Sequence, residues 1–106
     1  SLHRKFDSVI DCGLFHVLSD EDRLPYVEGL AHVTKYGGRV FLMCFSDKEP
    51  GDTGPRRISR DELREAFADG WIIESITPSQ FEPNSESEKE FSDGGPKAWF
   101  AVIRRE

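Results

Sequence analysis

The fold is read from Phe6-Asp7-Ser8-Val9-Ile10-Asp11-Cys12-Gly13-Leu14-Phe15-His16-Val17-Leu18. Phe6 to Cys12 predicts a short buried strand with a Val-Ile centre. Gly13, just past its end, supplies a sharp turn that a residue with a Cβ makes poorly. Leu14, Phe15 and His16 occupy the loop, and the acidic Ser19-Asp20-Glu21-Asp22 opens a helical segment. Ligands of open α/β sheets bind beyond the carboxyl ends of the strands. An aromatic, an imidazole and a thiol at such an end therefore mark a candidate site. The competing reading, which spacing alone favours, has Leu14 and Phe15 covering the sheet and His16 as a structural histidine.

Downstream the pattern alternates. Asp20 to about Lys35 predicts a helix, with Val27, Leu30, Ala31 and Thr34 along one face. Pro25 either opens the main helix after a short turn capped by Ser19, or kinks one longer helix. Gly37 and Gly38 are expected to end that helix with left-handed geometry. Arg39 to Phe45 carries the continuous apolar run Val40-Phe41-Leu42-Met43-Cys44-Phe45, as in a central strand covered on both faces. Strand, helix, strand with short connections implies parallel pairing. Ser59 with Glu62 forms a capping box for a second helix over Arg60 to Asp69, and Ile58 with Leu63 forms a hydrophobic staple. Leu63, Ala66 and Phe67 would then face the sheet. Trp71 to Ile76 and Lys97 to Arg104 are the last two strands, with no helix between them, so they are expected to pair as an antiparallel hairpin. The intervening Pro83 to Pro96 is dominated by Glu, Ser, Gly and Asp and predicts a mobile loop. The Lys48 to Arg57 loop is either a solvated connector or a cover for an acceptor pocket, with Arg56 and Arg57 available to an anionic substrate.

At 106 residues the chain is one domain or part of one, and 37% hydrophobic with 32% charged residues describes a globular protein. A net charge of −6 argues against nucleic acid or an anionic membrane surface as partner. No apolar run approaches the length that spans a bilayer, and Ser1 to Lys5 lacks the apolar core of a signal peptide. Cys12 and Cys44, near the ends of adjacent strands, fit reduced, buried thiols in a cytoplasmic protein. With His3, His16 and His32 they form no paired-ligand spacing, so no metal is expected.

The stretch from Phe6 to Arg105 resembles the C-terminal part of class I S-adenosylmethionine-dependent methyltransferases, in particular the bacterial branch related to thiopurine and tellurite-resistance methyltransferases. Gly13-Leu14-Phe15-His16 with the following Ser-Asp-Glu-Asp-Arg, and Phe45-Ser46-Asp47, carry the likeness; the Gly37-Gly38 pair adds to it. The resemblance implies an α/β fold corresponding to the C-terminal half of a Rossmann-like sheet. Two parallel strands would be followed by an antiparallel hairpin, with two main helices, and the final strand inserted between the preceding two. It implies S-adenosylmethionine as cofactor, flanked by Gly13, Leu14 and Phe15, and a small-molecule methyl acceptor bordered by Phe45, Ser46 and Asp47; Arg56, from the loop that follows, is a further substrate-binding candidate. His16 and Asp47 would be the catalytic candidates. By unperturbed pKa His16 is the natural base, with a packing role the alternative; Asp47 alternatively caps the loop that follows it.

The strand followed by G-x-G that holds the cofactor in such enzymes is missing, since Gly51 and Gly54 lie in a polar loop after the wrong strand. The chain is therefore expected to be the second half of such a domain, with weak or no cofactor binding alone. The other reading is a non-catalytic α/β interaction module. Either way, the strand Phe6–Cys12 is expected to lack a neighbour on one side and to offer a template for self-association.

Overall fold

The computed structural model describes residues 5–51, 57–81 and 95–106. The elements are β1 (Phe6–Cys12), α1 (Asp20–Val33), β2 (Thr34–Phe45), α2 (Arg60–Ala66), β3 (Trp71–Gln80) and β4 (Lys97–Arg105). The strands form one sheet in the order β1-β2-β4-β3. β1 pairs with β2 in parallel, and β4 lies antiparallel to both β2 and β3. The last strand is thus inserted between β2 and β3, as the resemblance implies.

Strand periodicity places Val40, Leu42 and Cys44 of β2 on the same face as Ala101 and Ile103 of β4. Against that face pack Val27 and Leu30 of α1, Leu63 of α2 and Phe67 just beyond it, in one cluster with Phe15, Ile58, Trp71 and Trp99. The capping box is present in full: Glu62 N–H donates to Ser59 Oγ and Ser59 N–H to Glu62 Oε1. Leu63 and Ile58, the two halves of the expected staple, are both fully buried.

Three expectations are corrected, and one open alternative is decided. α1 ends at Val33 rather than near Lys35, because Thr34 closes it with its backbone N–H and its hydroxyl, both donating to the Leu30 carbonyl. β2 starts at Thr34, so the Gly37-Gly38 pair lies inside a strand and does not terminate the helix. Of the two readings of Pro25, the single longer helix is the one found: α1 runs from Asp20 through it. α2 stops at Ala66 rather than running to Asp69.

The second correction has a steric origin. Gly37 has φ +82°, while a Cβ on Gly38 would come within 2.9 Å of the Lys35 carbonyl oxygen and 3.0 Å of that of Asp7. The pair lets β2 bend past the start of β1, where the β1–β2 register shifts between Phe6 and Ser8. The third and fourth strands run longer than expected: β3 continues through Pro78 to Gln80, and β4 reaches Arg105.

The remaining corrections concern burial. Among the described residues β1 has one neighbour, and Ile10 shares the Phe41 face, away from the core cluster, so the strand is mostly exposed rather than buried and Ile10 is 78% accessible. Cys12 is likewise exposed, whereas Cys44 is buried. β2 is not covered equally on both faces: Phe41 and Met43 are half-buried, with Phe41 stacked on Phe100 of β4 at 6.4 Å. No helix among the described residues is long and apolar enough to cross a membrane.

Candidate functional site

The carboxyl ends of β1 and β2 lie side by side, with Cys12 in register with Met43, and they carry the residues of interest. Gly13, with φ +93°, turns the chain out of β1 while its N–H still bonds to the Met43 carbonyl at 3.0 Å. The turn is held from below by Asp11. Its Oδ1 accepts from Leu14 N–H at 2.9 Å, and its Oδ2 accepts from the Tyr26 hydroxyl at 2.6 Å. A buried carboxylate needs such partners, and here they tie the end of β1 to α1.

His16 lies on a short 3-10 turn, Phe15–Val17, and is only 5% accessible. Its Nδ1 accepts from the backbone N–H of Phe45 at 2.9 Å. The imidazole stands edge-on to the Phe45 ring at 5.1 Å, and Phe81 packs against both rings, at 5.8 Å and 5.4 Å. Burial lowers the proton affinity of His16, and the Asp11 carboxylate opposes that in part. The outer side of Phe45 is covered by the Arg57 guanidinium at 5.1 Å. Arg57 in turn donates to the carbonyls of Glu49 and Pro50. Glu49 is buried, and its carboxylate accepts from Lys97 N–H at 2.9 Å, fixing the loop after β2 to the start of β4.

The expected site residues separate into groups. Gly13, His16 and Phe45 come together. Leu14 is half exposed beside them. Phe15 is fully buried between Phe67, at 6.1 Å, and the Arg23 guanidinium, so its ring faces the core and is not open to a ligand. Ser46 is buried, and its Oγ accepts from Lys48 N–H, shaping the turn. Asp47 is exposed, with its backbone N–H bonded to the Ile58 carbonyl. Arg56 lies outside the described residues. A cleft of about 520 Å³, lined by Ser46, Lys48, Arg60, Gln80, Lys97 and Trp99, opens beside this group, but neither His16 nor Phe45 lines it.

Asp11, Tyr26, Glu49 and Phe81 were not legible as site residues. Asp11 carried a signal, an Asp three residues before an N–H it can accept from, next to a glycine turn. Phe81 had none, standing alone at the edge of a polar stretch.

Among the described residues no cluster of His, Cys, Asp and Glu is suited to hold a metal. A Cβ on Gly13 would meet nothing nearer than His16 Nε2, at 3.5 Å.

No protein-family model matches the chain. It is 30% identical over 104 residues to a 2-heptyl-1-hydroxyquinolin-4(1H)-one methyltransferase of Mycobacteroides abscessus, an alignment covering 96% of this chain and 44% of that protein. A SAM-dependent methyltransferase of Methanosarcina mazei superposes with TM-score 0.70 at 15% identity, covering 100% of this chain and 63% of the other. The fold is that of class I methyltransferases. A structure from work on the conversion of a disulfide bond into a thioacetal group in echinomycin biosynthesis agrees more closely, with TM-score 0.78 and 27% identity over 99% of this chain and 51% of that one. The chain thus spans about half the length of the methyltransferase relative and of this last structure.

Proposed function

We propose that this chain supplies the acceptor-side, C-terminal half of an S-adenosylmethionine-dependent methyltransferase domain that acts on a small-molecule heteroatom acceptor in the cytoplasm. The observation that carries the reading is the direct tie between the two loops such an enzyme needs: His16, three residues past the Gly13 turn, is bonded to Phe45 at the end of β2. The motifs at Gly13–His16 and Phe45–Asp47 favour the branch related to thiopurine and tellurite-resistance methyltransferases.

The cofactor, when bound, supplies an activated sulfonium methyl, so the protein mainly aligns the acceptor and excludes water. Gly13 and the Leu14 backbone flank the cofactor edge in this reading. Phe15 contributes through the core, holding the turn from behind. Phe45, with Phe81 beside it, forms an aromatic wall on the acceptor side. Ser46 and the buried Glu49 keep the following loop in place, and Asp47, being exposed, is free to meet the acceptor. A planar heteroaromatic hydroxyl is the first acceptor to try, because the Mycobacteroides abscessus relative is named for such a compound and aromatic rings stack well on Phe walls. The test, made on the chain joined to an N-terminal half that bears a Gly-rich cofactor loop, is transfer of an isotopically labelled methyl group from S-adenosylmethionine to a panel of hydroxy-heteroarenes, thiols and amines. Labelled product with at least one member supports the reading; cofactor binding without transfer to any member counts against it.

A second reading, an interaction module, is favoured by one observation. Among the described residues β1 pairs on one side only, with Ile10 among its exposed residues. Pairing of that edge with a second copy would give a dimer. Light scattering on a sizing column separates the two, since a monomer at high concentration removes the self-association.

A further inference from the structure

We propose that His16 is a positioning residue locked as its Nε2–H tautomer and is not the base of the reaction. The inference rests on the methyltransferase reading only for its kinetic consequence. A backbone N–H can only donate, so the 2.9 Å contact from Phe45 N–H requires a lone pair on Nδ1. The neutral ring must then carry its one proton on Nε2. That edge of the ring faces the Gly13 turn, 3.5 Å from where a Cβ on Gly13 would stand.

Base catalysis would have to break this arrangement. The ring can take a proton only at Nδ1, or at Nε2 after a switch to the Nδ1–H tautomer. Both place a hydrogen on Nδ1 against the Phe45 N–H and break the 2.9 Å bond. The surroundings favour the neutral form. Phe45 and Phe81 enclose the ring with apolar surface. Asp11 is the carboxylate that acts on it, and both oxygens of Asp11 are already engaged by Leu14 N–H and the Tyr26 hydroxyl. Arg57 stacks on the Phe45 ring and donates to loop carbonyls. His16 therefore ties the Gly13 turn to the end of β2. The acceptor class that suits this arrangement is one whose heteroatom ionises near neutral pH without help from this imidazole.

The test is made on the full chain labelled with 15N at histidine. Nitrogen–proton correlation spectra are expected to show His16 as the Nε2–H tautomer, and to keep it as pH falls through the ordinary histidine value of about 6.5. An Nδ1–H tautomer, or titration at or above that value, overturns the proposal whether or not methyl transfer is detected. Kinetics on the chain joined to an N-terminal half that bears a Gly-rich cofactor loop add an independent arm. In His16→Asn the Oδ1 falls where Nδ1 was and accepts the same bond, whereas His16→Leu cannot. With the bond from Phe45 N–H lost, His16→Leu is expected to lose about 10- to 100-fold in turnover, and His16→Asn to retain activity within about 10-fold of wild type, with an unchanged pH profile. An Asn variant as inactive as the Leu variant overturns the proposal, as does loss of an acidic limb from the pH profile in the Asn variant.

Discussion

The hydroxyl of Tyr26 lies 2.6 Å from Oδ2 of Asp11 and joins α1 to the end of β1, directly beneath the Gly13 turn. Burial first, then the bond to Asp11 and the nearness of its charge, hold the phenol proton well above the ordinary tyrosine range. A folded-state value raised above the unfolded one means stability present below the unfolded value of about 10 and lost as pH rises above it. Tyr26→Phe is expected to cost about 1.5–3 kcal/mol near neutral pH, as for a hydrogen bond to a charged group. Its denaturation midpoint should fall less than that of wild type between neutral and strongly alkaline pH. Urea titrations across that pH series check both points, and equal alkaline slopes would remove Tyr26 from the account.

Ser59 and Glu62 form the capping box, but Glu62 also meets Arg23 of α1 at 2.9 Å. Arg23 is mostly buried, and among the described residues its Nε and Nη2 have no hydrogen-bond partner, so it depends on this contact and on Asp20 at 3.7 Å. Ser59→Ala is expected to cost about 1 kcal/mol. Glu62→Ala should cost about 2 kcal/mol or more, since it also strands a buried cation. Thermal midpoints measured on both variants should rank them in that order.

Gly38 should tolerate a side chain less well than Gly37, although only Gly37 has a left-handed φ. Gly37→Ala faces open space and carries about 1 kcal/mol of backbone strain. Gly38→Ala drives a Cβ into two carbonyl oxygens of neighbouring backbone and is expected to cost about 2–3 kcal/mol. The reverse order of denaturation midpoints would mean that the backbone gives way easily at this bend.

The two thiols should separate cleanly under alkylation. Cys44 is buried and its pKa is pushed up to about 12, chiefly by loss of solvent, so it has almost no thiolate at mildly alkaline pH. Cys12 is exposed on the edge strand. Mass spectrometry after iodoacetamide treatment should find Cys12 modified in the folded protein and Cys44 modified only on unfolding.

Much of this was legible in the sequence, for physical reasons. The apolar run Val40–Phe45 and the Ser59–Glu62 box are local signals whose meaning does not depend on the rest of the chain, and both appear as expected. What misled was context. Val9 and Ile10 read as buried, yet among the described residues β1 has one neighbour and its outward residues stay exposed. Gly37-Gly38 read as a helix stop, because a glycine pair says that the backbone bends without saying in which element. At the site, spacing could place His16 beside the strand end but not choose its role. That depends on Phe45, 29 positions away, which occupies Nδ1. Phe81 and Glu49 entered for the same reason, through pairings made only when β4 slots in beside β2.

The central claim, that these residues are the acceptor-side half of an S-adenosylmethionine-dependent methyltransferase, is tested most directly by calorimetric titration of the cofactor. The titration compares the 106-residue chain alone with the same chain joined to an N-terminal half that bears the Gly-rich loop. The joined form is expected to bind in the micromolar range and to transfer a labelled methyl to a heteroatom acceptor, while the chain alone gives no measurable heat. Micromolar binding by the chain alone, or a folded joined form that binds no cofactor, would contradict it.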